Sequence, residues 1–160
     1  WFLVANTTLF DARYQGSDGV WRASRWNLGH IANLTAGKEW QRVADWPEKS
    51  RAFGVNGRIT WTGGQRAAPV DEVASAAAKT TVFDFSNGYS EQQPGFVRLD
   101  LRVYWRRNIG KRRNSLFAMD FQNITFQKNT AHRYYDPYTG NVEVKEQLGL
   151  VPNLSWRLEW

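Results

Sequence analysis

Hydrophobic and polar residues alternate along residues 148–160, the last stretch of the sequence. Successive side chains of a β-strand point to opposite faces, so the alternation predicts a strand with one apolar and one mostly polar face. The apolar positions are Leu148, Leu150, Pro152, Leu154, Trp156, Leu158 and Trp160. Soluble folds avoid a long apolar edge of this kind, whereas a lipid-facing strand places its last aromatic side chain at the membrane interface.

The same period of two recurs in earlier segments, which are separated by polar stretches rich in Gly, Pro, Asn and Asp. These further predicted strands span residues 1–14, 26–40, 53–61, 96–106 and 114–126. The alternation is clearest at 96–106 and poorest at 1–14, where the two faces are not well separated. The sequence thus predicts an all-β fold, an antiparallel up-and-down meander of about six long strands that is part of a large transmembrane β-barrel.

The connections between these strands differ in length. Short ones at 41–50 and 109–113 alternate with long ones at 63–95 and 127–147, while the turn around 15–19 is intermediate. Outer-membrane barrels have short periplasmic turns and longer extracellular loops, so residues 65–94 and 127–147 are predicted to be extracellular. Within the longest connection, the Ala-rich run from Asp71 to Ala78 predicts two helical turns with Asp at the start.

Aromatic residues are numerous, with nine Trp, nine Phe and six Tyr, and they fall mainly near strand ends. A periplasmic girdle is predicted from Trp1, Trp40, Phe53, Trp105, Phe117 and Trp160. An outer girdle is predicted from Tyr14, Trp26, Trp61, Phe96 and Phe126. A soluble antiparallel sandwich explains the alternation equally well, but it does not explain two aromatic rows.

The amino-acid composition reduces the number of possible functions. The sequence has no cysteine and only two histidines, and it contains no hydrolase or metalloprotease motif. We therefore expect no enzyme activity, no metal site and no cofactor. No window holds the ~18 apolar residues of a membrane helix. The low mean hydropathy of -0.59 does not argue against a barrel, because half of each spanning strand faces a polar lumen.

Charged residues on the polar faces are the candidate functional residues. Five are predicted to line the lumen as a candidate substrate path: Arg58, Arg98, Asp100, Arg102 and Asp120. We expect their charges to pair across strands. The basic run at 106–113 and the net charge of +6 are also compatible with nucleic acid or anionic lipid. The run falls on a tight turn, however, so we expect a solvated periplasmic turn and no nucleic-acid partner.

Six segments in order carry a resemblance to one family. They are TLFDARYQGSDGVWR (8–22), LTAGKEW (34–40), FVRLDLR (96–102), DFQNIT (120–125), YYDPYTG (134–140) and LGLVPNLSWRLEW (148–160). Together they resemble the C-terminal end of TonB-dependent outer-membrane receptors of the type with a carboxypeptidase-regulatory-like N-terminal module. The resemblance covers nearly the whole of residues 1–160.

The resemblance implies energised uptake of a substrate across the outer membrane of a Gram-negative cell. Its implied partners are outer-membrane lipid, TonB acting through an N-terminal part that this sequence lacks, and the barrel-assembly machinery. In the family that machinery reads the final strand, which here presents Leu154, Trp156, Leu158 and Trp160. No plug is present, and single-chain barrels need at least ~8 strands. Residues 1–160 are therefore expected to be the C-terminal part of a longer barrel.

Two alternatives stay open at this point. One is a soluble all-β ligand-binding module, for example for carbohydrate, in which exposed Trp side chains stack on sugar rings. The other is a closed barrel of eight short strands, for which the sequence has too few turn signals.

Overall fold

The computed structural model describes residues 1–42, 50–108 and 113–160. Within these ranges the chain forms twelve β-strands and one short α-helix. In chain order they are β1 (Phe2–Leu9), β2 (Arg13–Gln15), β3 (Trp21–Ala23), β4 (His30–Arg42), β5 (Arg51–Thr62), β6 (Arg66–Ala67), α1 (Glu72–Ala78), β7 (Glu91–Gln92), β8 (Phe96–Asn108), β9 (Asn114–Gln122), β10 (Thr130–Asp136), β11 (Asn141–Glu146) and β12 (Val151–Glu159). No helix in the described ranges is long and apolar enough to cross a membrane.

Six strands form one antiparallel sheet in the order β1-β4-β5-β8-β9-β12, in which each strand pairs with the next long strand along the chain. The predicted all-β meander of six long strands is therefore confirmed. β4 and β8 have 13 residues each, and β5 has 12. In the described part of the chain the sheet is open, with β1 and β12 at its edges. Closure into a large barrel stays a prediction.

Four of the six strands are shorter than the alternation predicts. β1 ends at Leu9, and β12 begins at Val151. β4 begins at His30 because residues 26–29 form a turn, in which the Leu28 N–H donates to the Trp26 carbonyl at 2.9 Å. β9 ends at Gln122 because the following Asn123 adopts the left-handed conformation, with φ of 54°.

The strand registers collect the apolar positions on one face of the sheet, which we call the apolar face. Leu101 of β8, for example, lies opposite Gly57 of β5 and Phe121 of β9. The intervening residues form the opposite, polar face. The separation is least clear in β1, where Phe2 and Val4 share the polar face with asparagine and threonine. The period of two therefore predicted the faces correctly where it was regular.

Very little of this sheet is buried. The buried hydrophobic residues in the described ranges are Ala52, Ala68, Ala118 and Tyr135. On the apolar face, Leu154 is 64% exposed and Trp156 is 69% exposed. No second layer from residues 1–42, 50–108 or 113–160 covers this face, so these residues do not form the two-layer sandwich of the soluble alternative. A sheet normally requires such a covered face for independent stability.

The two ends of the sheet carry different connections. At the loop end, where β5 and β8 meet at Thr62 and Phe96, three long connections (residues 10–29, 63–95 and 123–150) hold one hairpin each: β2–β3, β6–β7 and β10–β11. The alternation did not predict these hairpins. The Ala-rich run that begins at Asp71 did predict α1, whose first turn is capped by Asp71 accepting the Ala74 N–H at 2.9 Å. At the opposite turn end, the predicted turns at 41–50 and 109–113 lie largely outside the described residues.

Candidate functional site

The five charged residues predicted from the sequence lie together on the polar face. The register places Arg58 opposite Asp100, and Arg102 opposite Asp120, across β5, β8 and β9. With Arg98 they line an open groove of about 360 Å³, together with Thr35, Asn56 and Asn153. Strict alternation is what gathers them, because residues two apart in a strand share a face. Their role as the lining of a lumen stays a prediction.

The charges in this groove pair only partly as expected. Arg102 pairs across strands with Asp120, with an N···O distance of 3.4 Å. Arg98 pairs instead along its own strand, with Asp100 at 3.0 Å. The Asp100 carboxylate also accepts the Asn123 N–H at 3.1 Å, which holds it toward the loop end and toward Arg98. Arg58 lies opposite Asp100 but donates through Nε to the Thr60 hydroxyl at 3.3 Å, so cross-strand pairing was the wrong expectation for Arg58.

A second polar cluster lies nearer the turn end of the same face and was not predicted. Tyr104 donates its hydroxyl to Glu39 at 2.6 Å, and Arg106 donates to the same carboxylate at 3.0 Å. Gly54 lies opposite Tyr104, and a Cβ there would collide with the phenol ring. A glycine inside a regular strand often marks such a close approach, so Gly54 was the signal that could have located this cluster.

One row of aromatic side chains crosses the apolar face near the turn end. Successive cross-strand partners in this aromatic row are Trp40, Phe53, Trp105, Phe117 and Trp156. Four of the five were predicted for the periplasmic girdle. The β12 member is Trp156, however, and Trp160 follows the last residue of that strand. Trp1 precedes β1, so it also lies outside the row.

The predicted outer girdle does not form an aligned row. Trp61 lies on the apolar face against His30, with ring centroids 4.6 Å apart. Phe96 pairs with Thr62 and has the parity of the polar face. The remaining members lie outside the six-stranded sheet: Tyr14 in β2, and Trp26 and Phe126 in connections. The prediction is wrong here because the strands end at different levels and continue into structured connections.

The residues predicted to be read during barrel assembly lie on and beyond the edge strand β12. Leu154, Trp156 and Leu158 project from its apolar face and are exposed, and Trp160 is 89% exposed. One edge of β12 pairs with β9, while its other edge has no partner within the described ranges. The strand therefore presents an apolar stripe beside free backbone donors and acceptors, the combination that strand addition uses.

The long connections are tied together at the loop end. Arg133 of β10 donates two hydrogen bonds to the Glu91 carboxylate of β7, both at 3.1 Å. The Thr81 hydroxyl accepts the Tyr135 N–H at 3.0 Å. Side chains from all three long connections line a cavity of about 220 Å³, among them Arg25, Arg66, Phe83, Phe85, Tyr89 and His132. Its lining thus combines guanidinium groups with aromatic side chains.

The first long connection is held by ion pairs. Arg22 donates to Asp18 at 2.6 Å and lowers the pKa of that carboxyl to about 2, with help from the Val20 N–H at 3.0 Å. The pKa of Arg22 is raised in turn, chiefly by Asp18. Hydrogen bonds from Arg13 and then Asn27 lower the pKa of Asp11. At neutral pH Asp18 is therefore ionised, and its carboxylate accepts hydrogen bonds from both Arg22 and the Val20 N–H.

Comparison of the chain with protein-family models, with curated proteins and with solved structures finds no match. Within the ranges that the structure describes, no group of three or more His, Cys, Asp and Glu residues is arranged to hold a metal ion. The features that bear on function are the two faces of the sheet, its loop end and the family resemblance of the sequence.

Proposed function

We propose that this chain forms part of the wall of a β-barrel in the outer membrane of a Gram-negative cell, and that the intact protein is a TonB-dependent transporter. One observation carries the membrane role: an apolar face built from six strands is exposed and has no covering layer in the described part of the chain. Lipid has the chemistry and the extent to cover such a face.

The dimensions of the sheet support this role. A 13-residue strand such as β8 is about 43 Å long, and at a tilt of about 45° it spans about 30 Å, the thickness of a bilayer core. The aromatic row and Trp61 are eight residues apart along β5, counted from Phe53. That is about 26 Å along the strand, or about 19 Å along the membrane normal at the same tilt, which is somewhat less than the ~25 Å apolar band of such barrels.

Among the described residues, one basic side chain lies inside this band, and it also fits a membrane interface. Lys38 has the parity of the apolar face, one step inward of the aromatic row. Its ammonium group lies 5.0 Å from the centroid of the Trp40 ring, and is therefore directed back toward the turn end. A lysine near the end of a membrane strand is expected to extend its charge to the interface in this way.

The open edges of the sheet support a larger barrel. Unpaired backbone groups cannot face lipid, so β1 and β12 require further strands in a membrane. In this proposal the rest of the protein supplies those strands and the plug. The assignment to TonB-dependent uptake rests on the sequence resemblance, and substrate contacts are assigned to residues 65–94 and 127–147, which contribute to the cavity at the loop end.

A direct test compares the chain in buffer, in detergent micelles and in lipid vesicles. The proposal expects aggregation in buffer, because the apolar face and both edge strands are exposed, and a strand-rich state in detergent or lipid, which cover that face. Circular dichroism and analytical ultracentrifugation give the readouts. A monomer that is soluble and unfolds cooperatively without detergent would refute the membrane role and favour the soluble ligand-binding module.

A second test addresses the transporter class separately. The coding sequence upstream of Trp1 in the source genome should encode further barrel strands, a plug and a TonB-interacting segment. If the natural protein instead has its own signal peptide directly before this region, the TonB-dependent assignment fails even where the chain enters membranes.

A further inference from the structure

Three arginines lie side by side on the apolar face, immediately outside the aromatic row. Arg42 of β4 is the register partner of Arg51 of β5, and Arg51 is the partner of Arg107 of β8. Each is two residues from an aromatic member of its own strand and therefore shares that residue's face. We call these three residues the arginine row. Ser115 and Leu158 continue it in β9 and β12, so no carboxylate of the described strands lies in it.

This arrangement is unfavourable for an isolated sheet. Directly opposed residues of neighbouring strands have Cβ atoms about 5 Å apart, and like charges at that distance destabilise the pair. The polar face of the same strands shows the contrast, because there Arg102 lies opposite Asp120 and Arg106 donates to Glu39. All three side chains of the arginine row are exposed. Three aligned guanidinium groups are stabilised when an anion lies against them.

We propose that the arginine row binds the phosphate-bearing headgroups of anionic phospholipids at the turn end of the barrel. The position selects this partner, because the aromatic row just inward marks the level of the membrane interface and the arginines follow at headgroup level. Guanidinium groups bind phosphate oxygens through paired N–H donors, so the phosphodiester of a lipid headgroup is a suitable partner for them. The inference rests on the proposed membrane role and adds a lipid specificity to it.

The test measures lipid preference in the membrane-inserted protein. The full-length protein, in which further strands close the barrel, is reconstituted in phosphatidylcholine vesicles that contain brominated phosphatidylglycerol or brominated phosphatidylcholine. Bromine quenches nearby Trp fluorescence, and Trp40 and Trp105 adjoin the arginine row. We expect stronger quenching by phosphatidylglycerol, with a preference that falls as salt is added. Each arginine should contribute about fivefold to that preference.

The decisive variant combines Arg42→Gln, Arg51→Gln and Arg107→Gln. It should reduce the preference for phosphatidylglycerol by up to about a hundredfold, while quenching by phosphatidylcholine is unchanged. A control with the same charge change combines Arg13→Gln, Arg25→Gln and Lys128→Gln, all at the loop end, and should keep the preference. Lysine at the three positions of the row should keep most of it, which separates loss of charge from misfolding.

Three outcomes overturn the proposal. If the glutamine variant keeps the full preference, the arginine row does not bind the headgroups. If the lysine variant loses it as well, charge at the row is not the cause. If inorganic phosphate removes it at an ionic strength where chloride does not, the row binds free phosphate rather than headgroups. Absence of any quenching by either lipid would refute the proposed membrane role itself.

Discussion

Leu101 and Asp100 are neighbours in β8, yet their side chains meet opposite surroundings. Leu101 lies among Gly57 and Phe121 on the apolar face. Asp100 lies in the charged groove, paired with Arg98 and bonded to the loop residue Asn123. In the proposed barrel the first position faces lipid and the second faces the lumen. A charged side chain introduced on the apolar face should therefore lower the stability of the barrel, whereas one on the polar face should be tolerated.

The substitution Leu101→Arg tests this directly. Near the midplane it should lower the free energy of unfolding of the intact barrel by ~2–4 kcal/mol, because an arginine must be removed from water into hydrocarbon. Asn153→Arg is the matched control, since it adds the same side chain on the polar face, opposite Asp120. Its cost should be far smaller. Unfolding in urea from lipid vesicles measures both, and equal costs would contradict the assignment of faces.

A second residue-level prediction concerns pH. The pKa of Asp18 is about 2, below its ordinary 3.8, chiefly because Arg22 donates to it. A carboxyl whose pKa is lowered by folding stabilises the folded turn above pH 3.8, and this contribution is lost as the pH falls through about 2. An NMR titration of the Asp18 carboxyl carbon should show the low midpoint, and the Val20 amide should stay protected from exchange at pH 3.8.

Arg22→Gln is the control for this titration. It should return the Asp18 midpoint toward 3.8, because the main cause of the shift is removed. If the midpoint stays near 2 in the variant, the Asp18–Arg22 pair is not what holds the turn.

Helix α1 lies in a branch of the longest connection, and the two ends of this branch are adjacent. The Asp71 N–H donates to the Val82 carbonyl at 2.9 Å, and Val70 forms an antiparallel bridge with Phe83. Residues 72–80 can therefore be replaced by a short glycine link without stretching the chain. The helix itself packs through the fully buried Ser75, whose hydroxyl accepts the Val82 N–H at 2.9 Å.

Removing residues 72–80 should leave barrel assembly intact but impair uptake. Assembly depends on the six-stranded sheet, which α1 does not join, whereas Phe83 and Phe85, just beyond it, line the cavity at the loop end. Heat-modifiable migration of the intact protein measures assembly, and accumulation of the transported solute measures uptake. A deletion of equal length inside β8 is the control and should abolish assembly. Lost assembly without α1 would argue against an external loop.

The elements that the sequence predicted are those with many repeats of one period. β8 has 13 residues, so its alternation is unambiguous, and it also fixed which charged residues share a face. β6 and β7 have two residues each, too few for any period, and so they were missed. Periodicity also cannot show which charged residues of one face form ion pairs with each other. The Arg98–Asp100 pair formed because the Asn123 N–H holds the carboxylate toward the loop end, a contact between residues distant in sequence.

Within the described ranges, the six-stranded sheet has two exposed faces and two open edges. Hydrophobic burial is the main favourable term in folding, and here it is nearly confined to three alanines and Tyr135. The stability of the assembled state must therefore come from lipid, from further strands and from the closure of the barrel. Correct folding of such a molecule depends on how its strands are brought to the membrane and paired, as well as on the contacts of the finished barrel.

Two tryptophans near the C-terminal strand β12 allow the effect on barrel assembly to be measured apart from the effect on final stability. Trp160 lies beyond β12 and is exposed, whereas Trp156 belongs to the aromatic row and donates its indole N–H to the Ser115 hydroxyl at 3.0 Å. In the proposed receptor, the assembly machinery captures β12 by strand addition and reads its apolar stripe. Deleting Trp160 from the full-length protein should therefore slow heat-modifiable barrel formation but barely change the final unfolding midpoint.

Trp156→Ala is the matched comparison, and it should change the unfolding midpoint more than the rate of barrel formation. It removes an interfacial side chain that contacts its neighbours in the finished sheet, so the unfolding midpoint should fall markedly even where assembly is complete. Both variants are followed by the time course of barrel formation and by urea unfolding of the assembled protein. If deletion of Trp160 lowers the midpoint as much as Trp156→Ala does and leaves the rate unchanged, Trp160 is part of the barrel wall, and its role in assembly must be abandoned.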